Sequence, residues 1–148
     1  MTQGKAAVVF LAFVFVAGCT SRPLVTTQSW IDPGQAVLRA AGAPRLGVTG
    51  VFALTVKGTG RTNNVHLNSE IDYRDPRNLS ISVPREAAAQ LEETLGAPPE
   101  VALRGRRILV SGTARRTRID FMIDGNPSGK YYYQTHVRVT DASQLQLL

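Results

Sequence analysis

Alternation of apolar and polar side chains is the feature that most restricts how this chain can fold. From Leu46 to Val56 every second residue is apolar apart from Gly50, and residues 79–83 and 131–139 show the same period of two. Successive side chains of a β-strand point to opposite faces, so this period predicts strands that are buried on one face. The expected fold class is therefore mainly β.

The segments between these strands predict their order. Residues 58–64 hold glycine and asparagine and predict a turn into a second strand over 65–68, before the third strand at 79–83. A helix is expected from Pro84 to Leu95, with its end at Gly96, because alanine, leucine and glutamate follow a proline that suits a first helical turn. Residues 107–114 predict a fourth strand, 115–130 an extra β-hairpin arm, 131–139 a fifth strand, and 145–148 a closing segment.

Short stretches of sequence add a resemblance to this order. They are Val-His-Leu-Asn at 65–68, Asp-Tyr-Arg-Asp at 72–75, Leu-Ser-Ile at 79–81, the basic strand at 103–112 and the ending at 139–148. Together they resemble bacterial OB-fold domains of the nucleic-acid-binding type. The resemblance implies a small five-stranded Greek-key barrel with one helix between strands 3 and 4. The chain departs from it at Ser69-Glu70, where a glycine and an aromatic residue are usual, and in the arm.

The amino terminus has the layout of an export signal. Lys5 supplies a positive charge, residues 6–17 are apolar but too few to span a membrane, and Val16-Ala17-Gly18-Cys19 follows. Cys19 is the only cysteine. These residues resemble the lipobox of bacterial lipoproteins, which implies cleavage before Cys19 and a diacylglycerol thioether on its sulfur. Thr20 implies sorting to the outer membrane, facing the periplasm; an ordinary secretory signal is the alternative.

Three regions follow from these patterns. Residues 1–18 are the expected lipoprotein signal peptide, residues 19–44 the lipidated cysteine and a tether without sustained periodicity, and residues 45–148 the OB-like domain. Trp30 interrupts the tether and is expected to dock on the domain, because an exposed indole is unfavourable in water.

Charge and aromatic residues indicate a binding face. The formal net charge is +6, and fourteen arginines stand beside three lysines. Arginine suits phosphate, carboxylate and aromatic partners, although a basic surface can also serve solubility alone. The candidate ligand-binding residues are Tyr73, Arg74, Arg115, Arg116, Arg118, Tyr132, His136 and Arg138. If Tyr131 and Tyr133 point inward, Tyr132, Gln134, His136 and Arg138 share the opposite face.

No motif for catalysis or for a cofactor stands out. The sequence has no phosphate-binding glycine loop, nucleophile elbow or zinc motif, and we expect no cofactor and no metal. Asp120, Asp124 and His136 form the one constellation that an enzyme could use. The expected function is a membrane-anchored, non-enzymatic binding domain for an envelope protein or an anionic polymer. A binder of single-stranded nucleic acid and an enzyme on the barrel are the alternatives.

Overall fold

The computed structural model describes residues 29–148. The expected signal peptide and Cys19 lie outside the described residues. The elements are α1 (Pro33–Gly42), β1 (Val48–Thr55), β2 (Gly58–Arg61), β3 (Val65–Asn68), β4 (Leu79–Val83), α2 (Arg85–Leu95), α3 (Pro99–Ala102), β5 (Arg107–Ile123), β6 (Asn126–Arg138), a 3₁₀ turn (Ala142–Gln144) and β7 (Leu145–Leu147). Within residues 29–148, no helix has both the length and the apolar character needed to cross a membrane.

The strands form one curled, mixed sheet, which confirms the mainly β class. Its order is β1-β5-β6-β4-β3-β2, with β7 paired to β5. Neighbouring strands are antiparallel except β4 and β6, which are parallel. The two ends of this order, β1 and β2, are separated in sequence only by Val56 and Lys57. Since so short a link reaches only about 7 to 10 Å, the sheet must curl to bring these strands together.

The core fills the inside of this curl. Phe52, Leu67, Ile81, Ile108 and Val137 are fully buried there, at the alternating positions that the sequence indicates. Helix α2 covers part of the same core with Ala87, Ala88 and Leu91. Burial of apolar surface, at about 25 cal/mol per Å², is the main force that holds these layers together.

Helix α2 has the bounds that its sequence predicts. It runs from Arg85 to Leu95, and Gly96 ends it in the left-handed conformation with a φ of 74°. The Gly96 N–H donates to the Glu92 carbonyl over 2.8 Å. Glycine adopts this conformation without the steric penalty of a Cβ, which explains the sharp end of the helix.

Helix α1 lies in the region where the sequence suggests a tether, and this part of the expectation is corrected. The Asp32 carboxylate accepts a hydrogen bond from the Gln35 N–H over 2.9 Å, so it caps the helix, and Ala36 and Ala40 are fully buried. Ile31 forms a parallel bridge with Phe52 of β1. Trp30 remains 43% exposed, so Ile31, rather than the indole, is the side chain that docks.

The sequence predicts a turn over residues 58–64, but Gly58 lies in β2, four residues before the observed reversal. The reversal occurs at 62–64, where the Thr62 N–H donates to the Asn64 carbonyl over 2.9 Å. A Cβ at Gly58 would lie 2.7 Å from the Glu70 carbonyl oxygen. Glycine is therefore required here by close backbone approach, because any side chain would collide with residues 70–71.

The hairpin expected over 115–130 is a long projection, which we call the arm (residues 115–134). Pairing of β5 with β1 ends at Ala114, and pairing of β6 with β4 begins at Thr135, so the two strands of the arm pair only with each other in the described part of the chain. Asp124 and Gly125, both with positive φ, form the turn. The register shifts between Asp120 and Met122.

Candidate functional site

The outer face of the sheet carries a groove of about 490 Å³, which we call the outer groove. Strand β3, strand β6, the segment 59–62, the loop 69–78 and the arm all contribute to it. Its lining residues are Thr59, Gly60, Arg61, Thr62, His66, Asn68, Ile71, Tyr73, Ser80, Ile119, Tyr132, Gln134 and His136. The volume lies in the range of small-molecule and peptide pockets.

Two histidines meet on the floor of this groove because of the sheet register. Antiparallel pairing sets His66 opposite Ser82, and parallel pairing sets His136 opposite Ser80 on the same central strand. The imidazole centroids are 6.3 Å apart, with their planes inclined at 56°. The groove therefore brings together two ring systems that are far apart in sequence.

A chain of hydrogen bonds fixes the His136 ring and the neighbouring Tyr132. His136 Nε2 lies 2.6 Å from Gln134 Oε1, and the Gln134 amide donates to the Tyr132 hydroxyl over 3.1 Å. The Gln134 amide also lies 3.3 Å from the Tyr73 carbonyl. Since an amide oxygen only accepts, His136 carries its proton on Nε2 in this arrangement. The side of the groove formed by β6 is thus pre-organised.

Burial keeps the centre of the groove uncharged at neutral pH. It lowers the pKa of His136, which the neighbouring His66 lowers further, and it lowers the pKa of His66. Burial also raises the pKa of the Tyr132 hydroxyl, with a further contribution from Tyr73. Both imidazoles are therefore neutral hydrogen-bonding groups at neutral pH.

A buried asparagine holds the loop that forms one wall. The Asn78 amide nitrogen donates to Asn68 Oδ1 over 3.2 Å and to the Tyr73 carbonyl over 3.3 Å. Its oxygen accepts from the Glu70 N–H over 3.1 Å, and Ser69 Oγ accepts from the Leu79 N–H over 2.8 Å. These bonds lock both ends of the loop, so the exposed Ile71 and Tyr73 side chains are held beside the groove.

Arg61 is the only lysine, arginine, aspartate or glutamate in the groove lining, and it has a partner. Its Nε and Nη2 lie 2.5 and 2.8 Å from the two Glu100 carboxylate oxygens. This bidentate pair joins β2 to α3 and lowers the pKa of Glu100. The outer groove itself is thus neutral and partly apolar.

A second depression, the arginine cleft, continues from the outer groove and shares His136 with it. Its volume is about 470 Å³, and Arg115 and Arg138 supply its positive charge. Arg115 Nη1 donates to the Arg45 carbonyl over 3.0 Å. The remaining lining residues are Ser82, Gly112, Thr113, Thr117 and Gln144. Among residues 29–148, no aspartate or glutamate lines either depression, so the strip they form is neutral at one end and cationic at the other.

The structure divides the eight nominated residues between two faces. Tyr73, Tyr132 and His136 line the outer groove, while Arg115 and Arg138 line the arginine cleft. The Arg74 guanidinium lies 5.0 Å from the centre of the Tyr73 ring, but it lines a further depression of about 290 Å³ together with Arg116 and Tyr133.

Arg116 and Arg118 lie on the opposite face of the arm. Arg116 stacks 3.7 Å above the Tyr133 ring, and Arg118 stacks 4.0 Å above the Tyr131 ring. The two tyrosines alternate as expected but remain 42% and 49% exposed, because the arm projects beyond the core. The cluster of three arginines therefore does not form one site.

The constellation of Asp120, Asp124 and His136 is not assembled. Asp120 pairs with Arg118 over 2.8 Å, whereas His136 faces the outer groove. In the register, Asp120 lies opposite Tyr131, five positions along the strand from His136, or about 17 Å. Among residues 29–148, no three histidine, cysteine or acidic side chains are grouped as metal ligands would be.

Some lining residues were not nominated from sequence. Gln134 follows from the alternation of β6, but His66, Ile71 and Ile119 belong to other segments. His66 reaches the groove through the pairing of β3 with β4 and of β4 with β6, for which the sequence carries no local signal. Ile71 comes from the loop 69–78, and Ile119 lies opposite Tyr132 in the arm. Comparison with protein-family models and with curated proteins finds no match for this chain.

Proposed function

We propose that the chain is a bacterial envelope lipoprotein, anchored through Cys19 to the periplasmic face of the outer membrane, whose OB-like domain binds a partner without catalysis. The anchor is supported by the sequence of Lys5, the apolar run 6–17 and the lipobox Val16–Cys19. Two or three acyl chains would make attachment almost permanent, because each buried methylene contributes about 0.8 kcal/mol.

The OB-like assignment is supported by strand connectivity. If β1 and β2 are counted as two halves of one bent strand and the short β7 is set aside, five strands remain, and their neighbours follow a closed cycle. The parallel pair β4 and β6 and the position of α2, after the third of these strands, agree with the OB arrangement. On this assignment the outer groove lies on the face that OB folds use for ligands.

One observation carries the binding function: the acid-free strip formed by the outer groove and the arginine cleft. It crosses several strands, its neutral end offers apolar and amide groups, and Arg115 and Arg138 lie at its cationic end. An extended anionic chain would fit this distribution, with carboxylates or phosphates at the arginines. We therefore propose an acidic segment of an envelope protein, or an anionic polymer, as the partner.

Charge reversal of two matched pairs of arginines, one pair in the cleft and one on the opposite face of the arm, tests this proposal. We expect Arg115→Glu with Arg138→Glu to weaken binding of fluorescent oligoglutamate by about tenfold or more, since a hydrogen bond to a charged group contributes about 1.5–3 kcal/mol. Arg116→Glu with Arg118→Glu changes net charge equally but on the other face, and we expect a much smaller effect. Equal losses of oligoglutamate affinity in the two double variants would contradict a binding site on the outer face of the sheet.

Single-stranded nucleic acid is a second candidate because of the tyrosines. Tyr73, with Arg74 above its ring, and Tyr132 border the outer groove, and base stacking contributes about 1–3 kcal/mol per base. We expect such binding to fall steeply with salt and to be weakened by Tyr73→Ala. Loss of oligonucleotide binding with oligoglutamate binding retained would favour this candidate.

The anchor has its own test. In cells supplied with radioactive palmitate, the wild-type chain is expected to carry label and to fractionate with the outer membrane, and Cys19→Ser is expected to do neither. A labelled Cys19→Ser chain would contradict the proposal, because no other cysteine exists in the sequence.

A further inference from the structure

The end of the arm exposes three consecutive large apolar residues. Phe121, Met122 and Ile123 are 42%, 56% and 64% exposed, and the arm that carries them projects beyond the curled sheet. Phe121 makes an aromatic contact with Tyr132, with ring centroids 5.3 Å apart. Such a patch at the end of a hairpin is unfavourable in water and is typical of an interaction site.

Cations and tyrosines surround this apolar end. Tyr131 and Tyr133 are half exposed, with Arg118 and Arg116 stacked on their rings, and Lys130 is exposed beside them. Residues 115–130 contain four cationic side chains and two acidic ones, Asp120 and Asp124. Arg118 forms an ion pair with Asp120. Tyrosine and arginine beside an apolar end match the interface of an anionic bilayer, where rings lie among headgroups and guanidiniums meet phosphates.

The arm is placed so that it can reach the membrane to which the chain is attached, and this step rests on the proposed Cys19 anchor. Ile31 runs parallel to β1, so Ser29 lies toward the Val48 end of that strand. Strand β5 continues past Ala114 into the arm from the same end. The chain from Cys19 to Ser29 can span at most about 36 Å, and the arm from 115 to 123 extends about 27 Å. Anchor and arm can thus reach one membrane surface.

We propose that the arm inserts Phe121, Met122 and Ile123 into the anchoring leaflet, with Arg116, Arg118 and Lys130 on lipid phosphates. Insertion is shallow, reaching the boundary between headgroups and acyl chains, because Asp124 at the turn keeps its carboxylate among the headgroups. The contact would orient the domain. Because Phe121 lies 5.3 Å from the groove-lining Tyr132, the membrane would lie beside the arm end of the outer groove, and the rest of the groove and the arginine cleft would stay open to a partner.

Depth-dependent fluorescence quenching tests the insertion. Trp30 is the only tryptophan, so Trp30→Phe provides a dark background for Phe121→Trp in the full lipidated chain, reconstituted in phosphatidylglycerol vesicles. We expect the emission of the indole introduced at position 121 to shift to shorter wavelength and to be mostly lost when the lipids carry bromine near the headgroup. Ile123→Trp is a second probe that leaves the Phe121–Tyr132 contact intact.

Val101→Trp is the matched control. Val101 is also an exposed aliphatic residue, at 66%, but it lies in α3 beside β2 and β3, away from the arm. We expect its emission to be unshifted and unquenched. Equal quenching at positions 101 and 121, or a blue shift at 121 that brominated lipid does not quench, would overturn the proposal; the second result would indicate that protein covers the arm.

Flotation separates this proposal from the anchor. A chain that floats with the vesicles but shows no quenching at 121 or 123 contradicts the arm contact alone and leaves the anchor standing. A chain that fails to float contradicts both, because neither attachment then holds it. Exchange of anionic phosphatidylglycerol for zwitterionic phosphatidylcholine is expected to reduce the quenching. Unchanged quenching would contradict the proposed role of Arg116, Arg118 and Lys130 in the lipid contact.

Discussion

At the residue scale, close approach rather than turn formation explains the most informative glycine. Gly58 and Gly60 are both in β2, and neither needs a positive φ. A Cβ at Gly58 would meet the Glu70 and Ile71 carbonyl oxygens at 2.7 and 3.0 Å, whereas nothing lies within 4 Å of a Cβ at Gly60. Two glycines of one short strand thus have different roles.

This difference predicts opposite effects of the same substitution. We expect Gly58→Ala to lower the free energy of unfolding by about 1–3 kcal/mol, because the strand and the loop must move apart. Gly60→Ala is expected to be neutral or to stabilise by up to about 1 kcal/mol, since alanine has less conformational freedom to lose. Urea denaturation of both variants measures the effect; equal stabilities would show that the loop accommodates a methyl group.

At the scale of elements, the strands are visible in the sequence but their partners are not. Alternation predicts β1, β4 and the core end of β6, because the inward side chains of these strands are uniformly apolar. The same alternation separates Arg115 from Arg116, although the sequence alone suggests one basic cluster. The meeting of His66 with His136 depends on pairing between distant strands, and no local pattern encodes that register.

Helix α1 is missed for a related reason. Its buried positions, Ala36 and Ala40, have the spacing of a helix face, but alanine contributes little to an apolar pattern, and Pro33 and Gly34 resemble a loop. In the structure Pro33 occupies the first turn, where its missing N–H is tolerated, and Asp32 caps the helix. Tertiary packing against β1 and β5, rather than local propensity, makes this segment part of the fold.

The cap of α1 provides a test of this contribution. We expect Asp32→Ala to lower the free energy of unfolding by about 0.5–2 kcal/mol, because the Gln35 N–H loses its acceptor. Asp32→Asn keeps a capping oxygen and is expected to retain most of that stability. Thermal or urea unfolding followed by circular dichroism compares the two; an Asp32→Ala variant as stable as the wild type would mean that α1 adds little to the fold.

At the scale of the whole molecule, the distribution of charge agrees with the proposal that two different surfaces serve the membrane and a partner. The net charge of +6 includes arginines on both surfaces. Arg116 and Arg118 stack on tyrosine rings near the apolar end of the arm. Arg115 and Arg138 line the arginine cleft, whose lining contains no acidic residue. In the proposed arrangement the lipid contact and the partner site could therefore be occupied together, and His136, which lines the cleft, would respond only to the partner.

The histidines make stability depend on pH in a defined direction. Because their pKa values are lowered in the folded chain, the unfolded chain takes up protons first as the pH falls below about 6.5. The free energy of unfolding should be highest above that pH and fall until the folded-state pKa values are reached. We expect His66→Gln with His136→Gln to flatten this dependence between about pH 7.5 and 5.5. An unchanged slope would mean that other groups cause it.

Binding of an anionic partner should have the opposite dependence on pH. An anion in the arginine cleft lies beside His136, so it would favour the imidazolium form and raise the lowered pKa of His136. By linkage, proton uptake accompanies binding, and affinity for oligoglutamate should rise as the pH falls from about 7.5 to 6, where the probe keeps most of its charge.

Two histidine variants test this dependence. The His136→Gln variant should bind oligoglutamate without this rise in affinity. The His66→Gln variant should retain most of the rise, because His66 lies outside the cleft lining. Isothermal titration calorimetry in buffers of different ionisation enthalpy measures the protons taken up; no uptake by the wild type would place the bound anion away from His136.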